Sequence, residues 1–180
     1  KTIEEQNIIK FLKGDKIKMK RHKLKISITM ILAIILSLNI FTYADTSVVV
    51  TLGQDLTQDQ KNQMVELFNV KKDEVTLIEV NNQEERRYLE GVASEAQIGT
   101  RTISSAYVEL LDEGSGISVE THNISWVTKD MYESALITAG VKDAKIIAAS
   151  PFPVSGTGAL TGILKAFEVA TGKEISEEQK

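Results

Sequence analysis

The chain has 180 residues, 42% hydrophobic and 26% charged, a balance that supports a packed globular domain and excludes a disordered one. It has no cysteine, which excludes disulfides, thiolate metal sites, a cysteine nucleophile and a lipidated N-terminal cysteine. Residues 1–44 hold nine of the 21 lysines and arginines and three of the 25 acids, so the rest carries 12 basic and 22 acidic side chains; that net of −10 speaks against nucleic acid as a partner.

Residues 1–18 precede Met19 and are read as an upstream segment outside the native fold. Residues 19–44 read as a signal peptide. MKRHKLK carries four basic side chains, Ile26 to Ala44 carries no charge, and Thr42 and Ala44 are small residues before a cut ahead of Asp45. The basic end stays cytoplasmic while the apolar stretch enters the translocon. The alternative is an uncleaved anchor, since Ile26–Ala44 is nearly long enough to span a bilayer; that segment is the only expected membrane contact. Residues 45–180 are the globular domain. The closing SEEQK, with Ser176 and Gln179 in capping-box spacing, reads as the start of a helix cut short.

Within that domain, Ser47–Leu52 is a β-branched strand ended by Gly53. Thr57 and Gln60 form a capping box before a helix whose apolar face is Met64, Val65, Leu67 and Phe68, with Asn69 as its left-handed stop. Residues 74–80 are a strand, and Asn82–Leu89 a short helix closed by Gly91. Thr100–Leu111 and Gly116–Val127 read as strands joined in a hairpin across DEGSG. A helix opens at Thr128, with Met131, Ala135, Leu136 and Ala139 on one face and Gly140 as its stop, and the strand DAKIIAAS follows. The last helix runs from about Gly156 to Thr171, burying Leu160, Ile163, Leu164 and Phe167, with Gly172 as its cap. Thr57, Asp59, Val70 and Lys71 recur at an offset of 71 as Thr128, Asp130, Val141 and Lys142, which raises a duplicated strand–helix–strand–helix unit.

The stretch SPFPVSGTGALTG, residues 150–162, holds both prolines and three glycines between a strand and a helix. That context suits anion binding by free backbone N–H groups, and Ser155, Gly156, Thr157 and Gly158 are the candidate ligand contacts. The spacing G-x-G-x-x-x-G is one residue longer than the dinucleotide fingerprint, and no G-x-x-x-x-G-K-[ST] fits. The competing reading is structural: the prolines stiffen the connection and the small residues let the helix lie close to the sheet.

Other chemistry is thinner. His122 is the one histidine after residue 44, and Ser104, Ser105 and Ser125 lack a G-x-S-x-G elbow. One histidine and no cysteine do not make an ordinary zinc site, and no calcium loop is present, so neither metal nor cofactor is expected. Glu84–Glu85 and Glu177–Glu178 read as solvated helix-surface pairs, and Tyr88, Tyr107, Trp126 and Tyr132 as core aromatics.

VTLGQDLTQDQ, IGTRTISSAYVEL, NISWVTKDMYESALITAGVKDA and SPFPVSGTGALTGILKAFEVATGK together resemble the YpuA-like family of exported bacterial proteins, domain of unknown function 1002. The likeness runs from about Val48 to Lys180, and the block from AGVKDA to SPFPVSGTGALTGI is its most specific part. It implies an extracytoplasmic protein of Gram-positive type, in a family whose members typically continue with further helices; it assigns no catalytic residue.

The expected fold is one α/β or α+β domain, with helices on a mixed sheet of about six strands. The expected function is a secreted, non-enzymatic binding or interaction module of the cell envelope, its partner an envelope protein or small ligand. The alternative is an envelope hydrolase built from Ser104, Ser105, His122 and Ser155–Thr157 with carboxylate groups. A third is a structural role in a larger assembly.

Overall fold

Five strands and five helices make up the fold of residues 48–176, which the computed structural model describes. The expected signal peptide and Glu177–Glu178 lie outside these residues. The strands are β1 (Val48–Gly53), β2 (Thr76–Val80), β3 (Ser105–Leu110), β4 (Ile117–Ile124) and β5 (Ala144–Val154). The helices are α1 (Gln58–Leu67), α2 (Asn82–Tyr88), α3 (Glu95–Ile98), α4 (Lys129–Thr138) and α5 (Thr157–Thr171).

Capping chemistry sets the helix starts. Thr57 and Gln60 make the expected capping box at α1, Gln60 N–H donating to Thr57 Oγ1 at 3.3 Å and Thr57 N–H to Gln60 Oε1 at 2.9 Å. Asn81 and Glu84 do the same for α2, and Thr128 Oγ1 accepts from Met131 N–H at α4. Asn69 adopts φ 53° after α1, the left-handed stop its amide side chain tolerates.

The five strands form one mixed sheet in the order β2-β1-β3-β5-β4, against the roughly six expected. β1 and β2 are parallel, β4 and β5 are parallel, and β3 runs antiparallel to both its neighbours. The DEGSG hairpin is therefore overturned: β5, with Ala144, Ile146, Ala148 and Ala149 buried, takes the interior position between β3 and β4, while β4, none of whose residues is fully buried, takes the edge.

Pleat alternation divides the core. Val49, Ala106, Val108, Ile146 and Ala148 face one side, covered by α2, α4 and α5. Val50, Leu52, Tyr107 and Ala149 face the other, covered by α1 through Met64, Val65 and Phe68. Tyr88, Tyr107 and Tyr132 are buried, and Leu160, Ile163 and Leu164 form the inner stripe of α5.

The recurrence at 71 is local. Helices α1 and α4 are each ten residues long at that offset, and the strand registers repeat: Val49 pairs with Thr76 and Glu120 with Ile147. Yet α1 and α4 cover opposite faces, although β1→β2 and β4→β5 step the same way across the sheet. The two crossovers thus have opposite hands.

Candidate binding loop and the buried carboxyl beneath it

The loop expected at 150–156 is mostly strand. β5 continues through Pro151 and Pro153 to Val154, which is possible because its neighbour β3 begins at Ser105, opposite Ala149. Beyond that point no partner needs the missing proline N–H groups. Val154 O accepts from Ser125 N–H at 2.8 Å, and Ser155 O accepts from Val127 N–H at 2.9 Å, so the chain stays anchored on the β4 side.

Gly156 turns the chain into α5 at φ 100°. A Cβ here would lie 2.5 Å from Ile124 Cγ2 and 2.6 Å from the Tyr132 hydroxyl, so only glycine fits on both counts. Tyr132 donates from that hydroxyl to Gly156 O at 2.9 Å. Burial pushes its ionisation well above the ordinary tyrosine range, so it remains a neutral donor.

The four candidate contacts diverge in exposure. Ser155 is half-buried, whereas Gly156, Thr157 and Gly158 are buried. Ser155 Oγ and Thr157 Oγ1 stand 3.1 Å apart and share a hydrogen bond. One of the free N–H groups at the start of α5 meets protein: Ala159 N–H donates to Ser104 Oγ at 2.8 Å. A Cβ on Gly158 would stand 2.8 Å from Thr102 Cγ2, 3.0 Å from Ser104 Oγ and 3.3 Å from Glu85 Oε1.

Glu85 is the residue the sequence reading placed wrongly. It is not solvated but 1% exposed, its carboxylate against the first turn of α5, where Thr102 Oγ1 donates to Oε1. Burial pushes the carboxyl above its ordinary range, while the hydroxyls of Thr102 and Thr157 and the Asn82 side chain pull the other way without cancelling it. Oε2 is sealed and finds no hydrogen-bond partner among the described residues. The signal was in the helix period: Glu85, Tyr88 and Leu89 lie on one face of α2, and that face is buried. The helix dipole that an outside anion would use thus faces an internal carboxyl.

Its neighbour Glu84 behaves oppositely. Burial acts to raise its carboxyl, but the Lys165 ammonium at 2.6 Å, the Asn81 backbone N–H and Arg87 outweigh it and hold Glu84 below the ordinary range. The pair ties α2 to α5 from outside while Glu85 ties it from within.

The hydrolase constellation is brought together only in part. Ser104, Ser155 and Thr157 gather at the start of α5, whereas β5 separates His122 on β4 from Ser105 on β3. The His122 side chain is half-exposed, with Glu120 Oε2 3.9 Å from Nε2. Among the described residues, no three of His, Cys, Asp and Glu cluster as metal ligands, and no helix is long and apolar enough to cross a membrane.

Open concavity lies elsewhere. A groove of about 360 Å³ runs between α4 and the α2–α3 connection, with Leu160 and Leu164 of α5 as its floor. Leu89, Val92, Met131 and Ala135 give it apolar walls.

The family model described as protein of unknown function (DUF1002) matches residues 52–180. The chain is 48% identical over 161 residues to the uncharacterized protein YpuA of Bacillus subtilis (strain 168), an alignment covering 87% of this chain and 55% of that protein. The chain therefore spans about half the length of the curated relative it matches. No solved structure matches it. With the match running from the end of β1 through α5, and so over the whole of the loop and its buried carboxyl, the chain belongs to the DUF1002 family of proteins of unknown function.

Proposed function

We propose that this protein is an exported, non-enzymatic binding module of the cell envelope. One observation carries the reading. The polar groups that converge under the α5 N-terminus, Glu85, Thr102, Ser104 and Thr157, are each no more than 2% exposed, so substrate cannot reach them, while the groove over Leu160 and Leu164 is mostly apolar. Export rests on the pattern of residues 19–44 and on the resemblance to an exported family. Ser155, the half-buried member of the 155–158 loop, is the group that a small ligand at that loop would meet first.

Native mass spectrometry tests both parts. The full chain is expressed in a Gram-positive host and recovered from medium and envelope. A mass beginning at Asp45 and carrying a co-purifying species supports the proposal. Loss of that species in Ser155→Ala/Thr157→Ala assigns it to the loop, and loss in Ala135→Glu to the groove. A cytoplasmic, uncleaved chain overturns export, and a bare mass in every fraction overturns the binding role.

A further inference from the structure

The groove has a polarity as well as a shape. Helices α2, α4 and α5 each begin where β2, β4 and β5 end, so their N-termini share one end of the sheet and all three run back over the same face. The α5 dipole already faces Glu85, so the end of the groove takes its polarity from α4, whose first turn carries Asp130. The groove is lined along α4 from Asp130 to Thr138, eight residue steps or about 12 Å, which is just over two helical turns. Within that span Ser134 and Ala135 are small, leaving room for a backbone at the close distances of packed helices. At the rim Val92 is 57% exposed, a large apolar side chain left in water at the mouth of the groove.

Asp130 is the charged group at the N-terminal end of this channel, in the first turn of α4. A helix laid in the groove opposite to α4 brings its C-terminus to that end. A Lys or Arg in its last turn, where basic residues stabilise a helix anyway, then meets Asp130. The excess of acids over bases beyond residue 44, 22 against 12, favours a basic partner at longer range.

We infer that this groove docks an amphipathic helix antiparallel to α4, with apolar anchors at i, i+3 or i+4 and i+7 and a basic last turn. The inference deepens the binding role proposed above by naming the partner's chemistry.

The test uses the full chain and two synthetic amphipathic peptides of about 16 residues, a length at which a helix is marginally stable. Both carry leucine anchors at the same spacing; one ends in two lysines and the other in two glutamates. Fluorescence anisotropy at low salt should show the lysine peptide binding about tenfold more tightly. Asp130→Lys, at an exposed position, should reverse that order, and Val92→Glu, also exposed, should weaken both peptides. No binding of the lysine peptide, an unchanged order in Asp130→Lys, or full binding in Val92→Glu with native circular dichroism overturns the inference. Uptake of dodecanoate in place of the peptide overturns it in favour of a small apolar ligand. If these peptides fail while the secreted protein still carries a co-purifying species, the helix partner falls and the binding role stands.

Discussion

Gly162→Ala is the sharpest probe of how α5 is seated. A Cβ there would come 2.2 Å from Thr51 Oγ1 and 3.0 Å from Thr51 Cβ, with Thr51 itself 1% exposed in the interior strand β1. The first distance falls more than 1 Å short of ordinary contact, so helix and sheet must separate. Overpacking of this kind costs about 1–3 kcal/mol, against about 1 kcal/mol gained by replacing glycine with alanine inside a helix. The expected net is a loss of up to about 2 kcal/mol. Thr51→Ala removes the offending hydroxyl, which has no hydrogen-bond partner among the described residues, and leaves only the 3.0 Å Cβ contact. In that background Gly162→Ala should be near neutral, a coupling of about 1 kcal/mol between the two positions. Urea unfolding followed by circular dichroism and by the single tryptophan, Trp126, measures all four corners of the cycle. Effects that add to within about 0.5 kcal/mol would refute the close approach of α5 to β1.

The adjacent glutamates should respond in opposite directions. Because the Glu85 carboxyl is raised, its stabilising, protonated form is fully present below the unfolded value of 4.5 and is lost as pH rises through the folded one. Glu85→Gln should therefore raise the melting temperature at neutral pH, and the gain should vanish towards pH 4. Glu84 is depressed, so its contribution is present above pH 4.5 and lost as pH falls through its folded value; Glu84→Gln should cost about 1–2 kcal/mol at neutral pH and little in acid. Thermal melts across pH check both signs. Ser104→Ala takes away the side-chain acceptor for Ala159 N–H and should cost about 1 kcal/mol in denaturant unfolding. His122→Ala, on the open side of the edge strand, should change stability by less than about 0.5 kcal/mol in the same assay.

What could be read in advance was local. Thr57, Thr128 and Asn69 announce helix ends because capping is settled within four residues, and the stripe Leu160–Ile163–Leu164 announces a buried face by its spacing. Strand pairing is not settled locally: the glycines of DEGSG license a tight turn, yet whether β3 pairs β4 depends on a competitor some 30 residues downstream. Glu85 illustrates the same limit. A two-turn helix bearing Glu84 and Glu85 gives no composition cue to burial, and its one cue, Glu85 in phase with Tyr88 and Leu89, is too short a period to set against the usual solvation of a glutamate. The α5 N-terminus was legible as a place where free N–H groups need partners; that Ser104, from the approach to β3, would supply one was not. The short helix α3, four residues in a segment with no clear periodicity, went unread.

Because β5 sits between β3 and β4, the order in which the chain emerges differs from the order in which the sheet can close. The first strand waits for β3, more than 50 residues later, and β3 waits for β5. Until residue 154 is available β4 has no strand to join, and a transient β3–β4 hairpin would have to open again before β5 could enter. Contacts this distant make for slow folding, and the last elements delivered are those that hold the centre. The domain should therefore acquire its structure as a whole once β5 and α5 have been made, rather than stepwise from its N-terminus.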